Sequence, residues 1–230
     1  MGRVAGVTSA ETRARLLRAA ADEFAARGYD GTRVADIAAA AGVSNGALYA
    51  HFGSKAELLV AALRAHGGRI LADMLAAEPD RPVADMLLQA GRMLPRHPDD
   101  RSYLGVEALI AARRHADVAT PMRGYTSDHA SWLAGLVEAG QASGELDASL
   151  SPEAVAHFCL LLGFGSSLLT DELHAVDEAE WSALLERVVA ALLPTAAGYR
   201  ERQVAGEGAR ARNGSEVAHG RTQEPDGCAS

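Results

Sequence analysis

The sequence predicts an all-α protein: an N-terminal three-helix helix-turn-helix unit followed by a larger C-terminal helical domain. Three observations carry this expectation. Apolar residues recur at helical intervals, and no segment alternates apolar with polar residues as a half-buried strand does. Aromatic residues make up only 5% of a chain that is 48% hydrophobic, and its alanine and leucine content favours helix over strand. Glycine, proline and serine or threonine punctuate the spaces between the periodic segments.

The first helix is expected over residues 8–28. Thr8 and Glu11 have capping-box spacing, Leu16, Leu17, Ala20 and Phe24 repeat along one face, and Gly28 is a natural stop. After "GYDG", Thr32 can cap a short second helix that buries Val34, Ile37, Ala38 and Ala41 and ends at Gly42. "GVSNG" turns the chain, Ser44 caps the third helix, and Leu48 and Phe52, four residues apart, anchor it in the same core. Ser54 and Glu57 repeat the capping-box spacing and open a fourth helix through Leu58, Leu59 and Leu63. Further helices are expected near 82–94, 100–115, 118–142, 152–172 and 178–193, with prolines and "SGELDASLSP" between them. The implied division is a helix-turn-helix unit at 1–54, a larger helical domain at 55–195 with helix 55–66 bridging both, and a polar, glycine-rich tail at 196–230 expected to be disordered.

Charge and cysteine usage narrow the function classes. The 230 residues carry a net charge of -8, which argues against binding nucleic acid over the whole surface. Up to His66, however, eight basic residues face six acidic ones, so the excess of acid lies entirely in the remainder. A non-regulatory architectural DNA binder would need an extended basic surface instead. Cys159 and Cys228 have neither metal-ligand nor disulfide-framework spacing, and the eight histidines are scattered singly, so no metal or cofactor is expected. Without a nucleophile and base pair or a cofactor loop, an enzyme is not expected either. No apolar run reaches a membrane span of roughly 18–20 residues and no signal peptide is evident, which makes the cytoplasm the expected location.

The chemistry concentrates between residues 32 and 55. Helix starts present free N–H groups and partial positive charge, which suits them to phosphate. Lys55, the only lysine in the chain, stands in the first turn of the fourth helix, where its charge opposes the helix dipole unless an anion is bound. It is the candidate backbone clamp, with Ser54 beside it. On the third helix, Gly46, Ala47 and Ala50 keep the outward face low enough for a major groove about 12 Å wide. Asn45 can make bidentate amide contacts to a base edge and is the candidate for specificity. Tyr49 and His51 are candidates for backbone contacts that set register, and Arg33 for a phosphate or base contact from the second helix.

The stretch "TRARLLRAAADEFAARGYDGTRVADIAAAAGVSNGALYAHFGSKAELL", residues 12–59, resembles the DNA-binding domain of TetR-family (tetracycline-repressor-like) transcriptional regulators. The resemblance implies that Thr32, Ser44, Asn45, Tyr49, His51 and Lys55 stand where such proteins touch DNA. Arg33 departs from the second threonine common at that point. The resemblance further implies a helical effector-binding domain and a homodimer built on the last two helices, acting as a repressor released from a (pseudo)palindromic operator by a small-molecule effector. The interface candidates are Leu160, Gly163, Phe164, Ser167, Leu184, Leu185, Val188 and Leu192. The apolar circumference of 152–172 and the helical spacing of leucines and valines in the final segment independently allow this. Candidate pocket residues are Met86, Met93, Tyr103, His129, Trp132 and Phe164, facing an unknown and mainly apolar effector.

Overall fold

A computed structural model describes residues 8–67, 70–94, 103–169 and 175–194, and all of its regular elements are α-helices. The expected tail at 196–230, with Cys228, lies outside the described residues.

Helix α1 (Ser9–Gly31) opens with the expected capping box: the Thr8 hydroxyl accepts from the Glu11 N–H at 3.2 Å, and the Glu11 carboxylate accepts from the Thr8 N–H at 2.7 Å. The expected stop at Gly28 is instead a kink. Gly28 takes φ 69° and ψ 172°, a region that glycine alone uses freely, and one more turn of helix follows it. Helix α2 (Val34–Ala40) buries Ile37 and Ala38, and Gly42, at φ 65°, begins the turn into α3 (Asn45–His51). Arg15 of α1 closes that turn by donating through Nη2 to the carbonyls of Ala41 and Gly42, which the end of α2 leaves unpaired. Ser44 caps α3 as its sequence suggests, accepting from the Ala47 N–H at 3.2 Å.

Helix α4 (Lys55–His66) starts on Ser54, whose hydroxyl accepts from the Glu57 N–H at 3.0 Å. The box is not reciprocal here: the Glu57 carboxylate reaches one residue further back and accepts from the Gly53 N–H at 2.8 Å. Six of the twelve residues of α4 are buried, and the helix packs against α1, α7 (Tyr103–Arg114) and α8 (Ala116–Ser143). One continuous core therefore runs from Leu16, Phe24, Ile37, Leu48 and Phe52 through Leu58, Leu59 and Leu63 to Leu104, Val118 and Met122.

The remaining helices form the outer part of the bundle. Helix α5 (Ile70–Ala77), absent from the expected set, precedes α6 (Val83–Met93) and packs on it. Helix α9 (Pro152–Ser166) starts on a Ser151 cap with Pro152 in its first turn and lies along α8. Helix α10 (Glu178–Ala190) crosses α6, where the Trp181 indole N–H donates to the Gly91 carbonyl at 3.1 Å and Arg92 Nε donates to Ser182 Oγ at 2.7 Å. A Cβ added at Gly91 would stand 3.1 Å from Leu185, so the small residue sets how closely α10 approaches. Leu185, expected at a dimer interface, is thereby a core residue of its own chain, 5% exposed.

The kink makes a direct test. Gly28→Ala forces a Cβ into a glycine-only backbone region and to within 3.1 Å of a Glu107 oxygen. It should lower unfolding free energy by about 1–3 kcal/mol in a urea titration. An unchanged midpoint would show that the kink relaxes freely.

Candidate nucleic-acid interface

The outward face of α3 is open. Leu48 and Phe52 are buried at 0% and 1% exposure, whereas Asn45, Gly46, Tyr49 and Ala50 are exposed, Tyr49 by 54%. Two neighbours fix how this face is presented: Arg15 holds the turn before α3, and the Arg13 guanidinium sits 5.0 Å from the centroid of the Phe52 ring at its end. A Cβ at Gly46 would meet nothing nearer than Ser44 Oγ at 3.8 Å, and its φ is not positive. Neither packing nor backbone geometry demands glycine there, although glycine costs a helix roughly 1 kcal/mol relative to alanine. Low relief is the property that glycine confers.

Around α3, Arg33, Ser44 and Ser54 are exposed, and Ala47, His51 and Lys55 are half-buried. The His51 ring leans on Phe52 with centroids 6.4 Å apart. Arg33 occupies the N-cap position of α2 without a side-chain cap. Thr32 is the exception among the expected contacts. It is 1% exposed, and its hydroxyl donates to the Gly28 carbonyl at 2.7 Å and the Glu23 carbonyl at 3.0 Å. Its hydroxyl therefore does not cap α2; it is turned into its own chain, onto carbonyls before and at the kink.

Lys55 projects toward a ring rather than into open solvent. Its Nζ lies 4.3 Å from the centroid of the Tyr29 ring, and burial there pulls its pKa below the ordinary lysine value, against the opposing pull of Asp30 and Asp117. Tyr29 is enclosed in turn. Its N–H donates to Glu107 Oε1 at 2.6 Å, its hydroxyl donates to Asp117 Oδ2 at 3.4 Å, and the His115 ring tilts against it at 5.0 Å. His115 Nε2 lies 2.7 Å from Asp30 Oδ1. Burial first, then the charge and hydrogen bond of Asp117 and the charge of Asp30, push the Tyr29 hydroxyl up to about 12. Sequence reasoning missed this cluster, because Glu107 and Asp117 stand 78 and 88 residues from Tyr29 and no local pattern links them.

The six expected pocket residues are spread over four helices, with Met86 and Met93 on α6, Tyr103 on α7, His129 and Trp132 on α8 and Phe164 on α9. Met86 is buried with Val83, Val137 and Leu146, Phe164 turns onto α7 at Gly105, and Tyr103 is exposed. His129 and Trp132 do adjoin, with Tyr125, as a row of rings along α8 with centroids 5.9 and 6.1 Å apart, and burial lowers the His129 pKa. A recess of about 200 Å³ opens instead beside Leu150, Val155, Phe158 and Leu192, and none of the six lines it. Of the expected interface residues, Leu184 is exposed, Leu160, Gly163, Phe164, Ser167, Val188 and Leu192 are half-buried, and Leu185 is buried against α6. The exposed apolar residues Phe158, Leu161, Leu168 and Leu169 lie on and just beyond α9, within the apolar stretch 152–172 expected to serve an interface.

Comparison with known proteins agrees with this geometry. The family model described as "Bacterial regulatory proteins, tetR family" matches residues 16–62. Over 169 residues the chain is 33% identical to the HTH-type transcriptional regulator TtgR of Pseudomonas putida, a match that covers 66% of this chain and 78% of that protein. Over 64 residues it is 48% identical to the HTH-type transcriptional repressor KstR2 of Mycobacterium tuberculosis, covering 28% of this chain and 32% of that one. Among solved structures, a TetR-family transcriptional regulator from Rhodococcus sp. superposes with a TM-score of 0.69 at 28% identity, over 80% of this chain and all of that one.

The raised Tyr29 pKa gives a pH prediction whose sign is fixed. The unfolded tyrosine ionises near 10 while the folded one holds its proton to about 12, so the stability tied to the neutral hydroxyl is complete below pH 10 and is lost as pH climbs toward 12. A difference absorbance titration of the wild type against Tyr29→Phe should show the missing phenol ionising well after an ordinary tyrosine. Ionisation near 10 would contradict the enclosure.

Proposed function

The chain belongs to the tetR family of bacterial regulatory proteins, and from that premise we propose which of its residues read DNA and how the reading is controlled. It is a DNA-binding transcriptional regulator; the proposal is that it is a repressor whose α3 enters the major groove of a (pseudo)palindromic operator and is withdrawn when a small molecule binds the larger domain. The observation that carries this is the outward face of α3, with Asn45, Gly46, Tyr49 and Ala50 exposed above the buried anchors Leu48 and Phe52.

Asn45 offers a base an amide donor and acceptor together, the pattern that pairs with adenine. Gly46 and Ala47 let the backbone approach. Tyr49, His51, Ser44 and Arg33 supply donors to phosphates and fix register. Lys55 and Ser54, at the start of the twelve-residue α4, grip the strand beside the groove, where the helix dipole adds to the attraction. Thr32 supports these contacts through the kink and is not among them.

A second copy of this chain would cover Leu161, Leu168 and Leu169, which are 60%, 50% and 63% exposed, together with Leu184 on α10. A symmetric pair is what places two α3 helices about 34–36 Å apart for successive major grooves. An effector that binds best to a differently spaced pair weakens operator binding by shifting that population. His129 and Trp132, half-buried beside Tyr125, are the part of the expected pocket set that supports an effector site.

Genome-wide recovery of bound fragments with the purified protein, followed by footprinting, tests the reading and supplies the operator. On that site Asn45→Ala should flatten the preference at one position per half-site, by about 1–3 kcal/mol of discrimination. Lys55→Gln should weaken all duplexes alike and reduce the slope of log K against log salt by about 0.9 for each chain bound. Equal loss from both variants would refute the division of roles. Separately, Leu161→Glu should shift the sedimentation of the protein from dimer to monomer, and a dimer that persists would place the interface elsewhere.

A further inference from the structure

Lys55 is assigned above as a phosphate contact, yet its ammonium does not stand free: it rests on the ring of Tyr29, 4.3 Å from the centroid. Tyr29 is 6% exposed and lies one residue past the Gly28 kink. Three helices beyond its own hold it. α4 lays Lys55 on its face, α7 sends Glu107 to its N–H, and α8 sends Asp117 to its hydroxyl. The Glu107 bond exists because of the kink, since at Gly28 the helical ladder breaks and the following N–H groups need an outside acceptor. The same break places the carboxylate 3.1 Å from where a Cβ at Gly28 would stand.

We propose that Tyr29 is a positioning residue for DNA binding: its ring holds the Lys55 ammonium at the start of α4, and its tethers to Glu107 and Asp117 make that hold depend on how α7 and α8 sit against α1. This rests on the DNA-binding reading above and specifies how the larger domain reaches the phosphate clamp. A free lysine samples many rotamers and loses that freedom when it grips a phosphate; a ring that already confines the chain removes part of the loss before DNA arrives. An ammonium has three donors, so contact with a ring face leaves donors for a phosphate. The charges of Asp30 and Asp117 favour the protonated lysine, against the burial that pulls its pKa below the ordinary lysine value. Movement of α7 or α8 would pull on the N–H or the hydroxyl of Tyr29 and shift the surface on which the lysine rests.

The test uses the full-length protein and the duplex recovered by the genomic selection. Affinity is measured as a function of salt for the wild type, Tyr29→Leu, Tyr29→Phe, Lys55→Gln and the Tyr29→Leu/Lys55→Gln pair. Tyr29→Leu should lose affinity roughly three- to tenfold and shift the salt slope toward that of Lys55→Gln. Tyr29→Phe, which keeps the ring, should recover most of that loss. In the Lys55→Gln background, Tyr29→Leu should change nothing further. Independent, additive losses in the pair would overturn the positioning role, because a purely structural effect of Tyr29 would persist without the lysine. A wild type that binds no duplex would overturn the DNA-binding reading itself, and this inference with it.

Because Lys55 is the only lysine, reductive methylation with ¹³C-formaldehyde gives one lysine methyl resonance, which decides the case even if Tyr29→Leu does not fold. In the wild type that resonance should be displaced upfield by the ring, and it should move in Glu107→Gln and in Asp117→Asn. A resonance at the position of an exposed dimethyl-lysine, unmoved in both variants, would overturn the proposal.

Discussion

Helix α4 buries Ala56, Leu58, Leu59, Val60, Ala62 and Leu63 and packs against α1, α7 and α8, so its position cannot change without disturbing all three contacts. Interiors packed at crystal-like density do not deform gradually; a displaced helix exchanges one set of contacts for another. The N-terminus of α4 carries Ser54 and Lys55, next to α3, while its body shares a core with the bundle. One buried element therefore joins the DNA-facing end of the molecule to the part proposed to sense the effector. The other features elaborate on this constraint: Arg15 fixes the turn before α3, Thr32 closes the kink, and Glu107 and Asp117 tie the kink to the helices behind it.

Local signals in the sequence were reliable where the physics is local. Thr8 with Glu11, Ser44 and Ser54 each cap the helix they precede, since an N-cap needs only a hydroxyl and an N–H three residues on. Leu48 and Phe52 are buried as their spacing requires. Helix α5 escaped because eight residues between Gly67 and Pro79 are too few to establish a period. Thr32 misled for a related reason. A threonine before an apolar helical run reads as an N-cap, but the same hydroxyl can donate backward, and which it does depends on a positive φ at Gly28 that no sequence pattern announces.

The less legible parts depend on contacts distant along the chain. Leu184 and Leu185 are adjacent and chemically identical, yet one is 53% exposed and the other packs on Gly91 of α6. A helix that is apolar on several faces does not say which face its own chain will cover. Phe164 was expected both to line a pocket and to face a partner, and it is turned onto Gly105 of α7. The Tyr29 cluster draws on α1, α4, α7 and α8 together, and only the folded chain assembles it.

Site-directed photo-cross-linking tests the central claim most directly. A photoreactive residue placed at Asn45 should cross-link to the operator duplex in the major groove, and the same residue at the exposed Asp85 of α6 should not. Capture at Asp85 without capture at Asn45 would mean that α3 is not the surface on which DNA is read.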